Sequence, residues 1–119
     1  MFKDHKEFHT VSLEDGWITP EGYPEGIEEK ILSGYLDEEN KVGTRTRLLR
    51  FAPGAKTTVP FIHDYFEEVY LVTGDLTVGE NGCYGSYEQH TYASRPAQTY
   101  HGPFESKQGC ILLEIHFYE

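Results

Sequence analysis

The chain has 119 residues and a mass of 13.7 kDa, enough for one hydrophobic core and too little for two. Twenty acidic against ten basic side chains leave a formal charge of −10, and that sign repels phosphate backbones and anionic lipid, so neither nucleic acid nor membrane is an expected partner. No apolar run approaches the roughly 20 residues of a membrane span, the first residues carry no leader-type apolar core, and Cys83 and Cys110 make no disulfide framework, so a cytoplasmic protein is expected.

Residues 1–43 hold 11 acidic and 4 basic side chains together with Gly16, Pro20, Gly22, Pro24 and Gly26. They read as an irregular N-terminal arm with turns, leading into the first strand or strands of the same domain. Trp17, Ile18 and Tyr23 are the groups that would pin the arm, either to its own domain or across a subunit boundary. From residue 28 onward short apolar runs alternate with turn residues. Lys30–Leu36, Thr44–Phe51, Glu68–Val72, Leu76–Val78, Tyr92-Ala93 and Cys110–Tyr118 each read as a strand. Between them lie Asp37-Glu38-Glu39-Asn40, Ala52-Pro53-Gly54-Ala55, Thr73-Gly74-Asp75 and Gly79-Glu80-Asn81-Gly82, all read as turns. No helical period is sustained between 42 and 119. The expected fold is therefore all-β, a sandwich or barrel over 44–119.

Six histidines are present, and two sit in recognisable frames. The first frame reads Gly54–x6–Phe61–x–His63–x3–Glu67–x6–Gly74, and the second Pro96–x–Gln98–x2–His101. These resemble the two motifs of the cupin superfamily: a glycine, His-x-His, a Glu three or four residues on and a second glycine, then Pro-x-Gly-x2-His. The tail from His101 to Glu114 is similar to small, single-domain RmlC-like bacterial cupins. The resemblance covers roughly residues 44–117. It implies a jelly-roll β-barrel, a small-molecule ligand in its mouth and a homodimer. Two positions depart from the family pattern. Phe61 stands where the first histidine belongs, and Gln98 stands where a glycine usually shapes the loop.

In that frame His63, Glu67 and His101 are the expected metal ligands, a set that suits Fe, Zn, Mn, Ni or Co; a site holding no metal is the alternative. Glu67 and Tyr100 are the expected proton-moving groups. Phe61, Tyr65 and Arg47 are the expected substrate-binding residues, the arginine as a fork for a carboxylate. A salt-bridged or solvent-facing arginine is the competing reading. Glu114 and His116 share one face of the last segment, and that face belongs either to the barrel or to an interface. Three functions compete: a metal-dependent enzyme on a small oxygenated compound (dioxygenase, decarboxylase, lyase or isomerase), a metal-free acid–base isomerase or epimerase, and a non-catalytic ligand sensor.

Overall fold

The computed structural model describes residues 3–119. Seven antiparallel strands follow in chain order: β1 (Ile27–Asp37), β2 (Val42–Phe51), β3 (Phe66–Val78), β4 (Ser86–Glu88), β5 (Tyr92–Arg95), β6 (Phe104–Glu105) and β7 (Cys110–Phe117). A single 3-10 turn, Glu80–Gly82, stands where a hairpin turn was expected, and no α-helix occurs among the described residues. The all-β expectation holds.

The strands form one ladder in the order β1-β2-β7-β3-β4, with β5 and β6 also pairing with β3. The first half of β3 lies between β7 and β5, and its second half lies between β4 and β6. One strand thus belongs to both layers, and the sheet rolls around it. The ladder does not close into a complete barrel, because β1 and β4 remain its two ends.

Strand β3 joins two segments that the sequence reading separated. Thr73-Gly74-Asp75 is a bulge rather than a turn, with a register shift between Leu71 and Thr73. Gly74 has φ +87°, and a Cβ there would collide with the Gly109 carbonyl and the Cys110 backbone. Only glycine meets both demands. The pairing of β1 and β2 turns on Asp37, whose carboxylate accepts from the Asn40 backbone at 3.0 Å and from its side chain at 2.8 Å.

Strand β7 alternates strictly, with Cys110, Leu112, Glu114 and His116 turned inward. Its apolar half packs with Ile27, Leu49, Phe51, Val69 and Leu71 in the core. The arm packs on its own chain. The Arg50 guanidinium lies 4.0 Å over the Trp17 ring, Ile18 pairs with Glu29, and Tyr23 stacks on Phe61 at 5.2 Å.

Candidate metal and ligand site

Strand register places four polar residues in one row across the inner face. Arg45 on β2 faces His116 on β7, His116 faces Glu67 on β3, and Glu67 faces Arg95 on β5. The side chains connect along that row. Arg45 donates to His116 Nδ1 at 2.8 Å, and the His116 Nε2 to Glu67 Oε2 distance is 2.7 Å. Arg95 donates to Glu67 Oε1 at 2.7 Å. A guanidinium has no lone pair to offer, so His116 Nδ1 must accept and the ring's proton sits on Nε2. That proton goes to Glu67, which fixes the carboxylate's orientation.

One row further, Arg47 on β2 faces Glu114 on β7. Arg47 is 3 % exposed and donates to Glu114 at 2.8 Å, to Glu29 at 2.9 Å and to the Tyr23 hydroxyl at 3.0 Å. Burial raises the Glu114 carboxyl, but Arg47 and His116 outweigh it and hold the group well below the usual carboxylate range.

His63 and His101 approach the row from loops. Phe61 and His101 bond to each other's backbone in both directions, at 2.8 and 3.0 Å, and this clamps the two loops together. His63 Nδ1 lies 3.1 Å from the Tyr65 carbonyl, and His101 Nδ1 lies 3.3 Å from the Thr99 carbonyl. Carbonyls only accept, so each Nδ1 carries the proton and each Nε2 presents a lone pair. Burial lowers the pKa of both rings, more than Glu67 raises it, which favours that neutral form. Both Nε2 atoms face Glu67 Oε1, from 3.9 and 3.7 Å. His63 Nε2 is buried with no hydrogen-bond partner.

This donor set fits a divalent ion. Ligand bonds near 2.1 Å put neighbouring donor atoms roughly 3.0–3.4 Å apart, so the two Nε2 atoms, at 3.9 and 3.7 Å from Glu67 Oε1, would close on it by about 0.3–0.9 Å. The orphaned Nε2 would otherwise cost about 1–3 kcal/mol for a buried polar atom left unmade. Backbone carbonyls holding the opposite nitrogens are the usual support for ligating imidazoles. Around the cluster lies a cavity of about 250 Å³, walled mainly by apolar side chains such as Leu49, Phe51, Val69, Leu76 and Leu112.

No family model matches the chain, and no curated protein matches it in sequence. Solved structures do match over nearly the whole length. An RmlC-like cupin from Shewanella frigidimarina superposes with a TM-score of 0.69 at 17 % identity, over 96 % of this chain and 93 % of that one. KdgF from Halomonas sp. gives 0.68 at 21 % identity, over 92 % and 93 %. An acetylacetone dioxygenase from Acinetobacter johnsonii gives 0.67 at 19 % identity, over 97 % and 77 %. The fold is that of a cupin.

In this fold His63, Glu67 and His101 do come together around one space. Residues 61–65 are not a strand, since Phe61 makes only an isolated bridge, and Glu67 follows on β3 directly after the loop. Phe61 lines the cavity and stacks between Tyr23 and His101, so an aromatic ring fills the place of the missing histidine. Tyr65 lines it too, lying flat on His63 with ring centroids 3.8 Å apart. Two other residues do not reach the cavity. Tyr100 is 71 % exposed and is not part of the lining. The Arg47 fork, expected on a substrate carboxylate, is taken up by Glu29, Glu114 and Tyr23.

Sequence reasoning did not assign site roles to Arg95, His116, Glu114 or Tyr23. For the β7 pair a signal existed: an acid and an imidazole on the same face as Leu112 mark a strand whose inner side is part core and part site. Arg95 gave none beyond preceding Pro96.

Proposed function

We propose that this cupin is a divalent-metal-dependent enzyme acting on a small oxygenated organic compound, with His63, Glu67 and His101 as the metal ligands. The observation that carries the reading is the buried, partnerless His63 Nε2 facing the same carboxylate oxygen as His101 Nε2. The dioxygenase among the similar structures supports an oxygenase, and decarboxylase, lyase and isomerase chemistry suit the same donor set. A bound ion of the Fe, Zn, Mn, Ni or Co series supplies Lewis acidity toward a substrate carbonyl or enolate oxygen, or redox chemistry with dioxygen.

The chain's own residues do the rest. His116 holds Glu67 in one rotation through Oε2, so that Oε1, which accepts from Arg95, is the oxygen turned toward both histidine Nε2 atoms. Tyr65, whose phenol burial pushes well above its ordinary range, keeps its proton and serves as donor to a substrate oxygen. The apolar walls keep bulk water from the reacting centre.

The Arg95–Glu67 contact favours a second reading, in which no ion is held and a neutral His63 or His101 acts as base with Tyr65 as acid. Elemental analysis of untagged protein, purified after metal supplementation, decides between them. The metal reading expects about one ion per chain, and less than about 0.2 rejects it. The partner surface we propose is a second copy of the chain, in a homodimer.

A further inference from the structure

Arg95 ends β5 with its guanidinium on Glu67 Oε1, the oxygen that both histidine Nε2 atoms also face. Only one terminal nitrogen is used there, and the side chain makes no other hydrogen bond among the described residues. It borders two apolar spaces, the cavity described above and a second one of about 280 Å³ walled by Tyr84, Tyr87 and Tyr92. Val69, Leu76 and Leu112 border both, so Arg95 stands where the two meet.

Charge bookkeeping sharpens its role. Three carboxylates (Glu29, Glu67, Glu114) meet three guanidiniums (Arg45, Arg47, Arg95) in and beside the polar rows. Without an ion the set is balanced. A divalent cation at Glu67 adds two positive charges in a space of low dielectric, where uncompensated charge is costly. Beyond Glu67 and the Arg47-paired Glu114, the acids on the cavity wall are Glu21 and Glu38, both exposed to solvent, so no buried acid answers them.

We infer that Arg95 is an exchangeable counter-ion. It neutralises Glu67 in the empty site, and once Glu67 ligates the ion it pairs with the anionic head of a small carboxylate or enolate. The apolar tail of that ligand lies in the tyrosine-walled chamber. This inference rests on the metal reading above, and it makes Arg95 a specificity-determining residue with opposite effects on two affinities. Arg95 competes with the ion for Glu67, so its removal tightens metal binding. It anchors the anion, so its removal weakens ligand binding. A purely structural β3–β5 tie would not tighten metal binding.

The test measures zinc affinity of the full chain by chelator competition. Binding of 3-phenylpropanoate, 3-phenylpropanamide and acetate to the zinc-loaded chain is then followed by calorimetry. Expected for the unaltered protein is one zinc per chain and 3-phenylpropanoate bound at least about tenfold tighter than either the amide or acetate. In Arg95→Met, zinc affinity rises at least about threefold while the acid-over-amide preference falls to within about twofold. Arg95→Lys retains part of that preference. Should Arg95→Met fail to fold, Arg95→Gln carries the same two readouts. Equal binding of acid and amide by the unaltered protein overturns the inference. So does a preference that survives the substitution, or zinc binding that stays level or weakens in a folded variant. A chain that takes up no zinc overturns the metal reading and the inference with it, whereas one zinc per chain without acid preference removes the Arg95 role alone.

Discussion

Gln98 holds its backbone at φ +63°, in the left-handed region that a side chain with a Cβ enters at a cost of about 1–2 kcal/mol. Its N–H nevertheless reaches the His63 carbonyl at 2.8 Å, so the loop keeps the shape a glycine would give it and ties itself to the first ligand's backbone. Gln98→Gly is therefore expected to raise unfolding stability by up to about 1 kcal/mol in denaturant titration, with metal content unchanged. A decrease would show that the glutamine side chain contributes something else. The two imidazoles are tested at the same scale. His63→Ala and His101→Ala are each expected to abolish zinc uptake in elemental analysis while circular dichroism keeps the β signature. Full zinc content in His101→Ala would mean that the ligand set is wrongly drawn.

The polar rows belong to the elements that carry them. Arg47 is held between two carboxylates and a phenol with almost no solvent, so Arg47→Ala leaves buried acids without a partner and is expected to cost about 3–5 kcal/mol. Glu114 adds a pH dependence. Its folded carboxyl sits below the unfolded value, so its contribution is complete above pH about 4.5 and is lost as pH falls below that. Acid denaturation of Glu114→Gln is accordingly expected to show a shallower loss of stability below pH 4.5 than that of the unaltered chain. These rows also mark where sequence reading stops. Strand alternation puts Leu112, Glu114 and His116 on one face of β7, and Arg45 and Arg47 on one face of β2. Their alignment depends on pairing between residues 71 apart for Arg45–His116 and 49 apart for His116–Glu67, which no local pattern encodes. Gly74 is a similar case. A threonine, glycine and aspartate in sequence spell a turn, and only the approach of Gly109 and Cys110 makes them a bulge.

At the level of the whole molecule, the roll leaves β1 as an outer strand with Ile31 at 49 % and Val42 of the adjoining strand at 44 % exposure. Exposed edges of this kind are usually covered. A homodimer through that edge is expected to elute in light scattering at about twice the 13.7 kDa chain mass, and Ile31→Glu to shift it to one chain. A single-chain mass for the unaltered protein would reject it. The all-β class and the loop histidines were legible because short β-rich runs and the motif spacings are local properties. The arm's placement was not, since Trp17 and Tyr23 find their partners, Arg50 and Phe61, well downstream in the chain.

Strand β3 carries Glu67 near its start and Leu76 near its end, and it passes from one layer to the other without a break. Anything that settles into the far compartment therefore presses on the same stretch of backbone that aims the acid at the imidazoles. Amide protons along this single segment should slow their exchange together when a ligand is taken up, at both extremities and not just beside it.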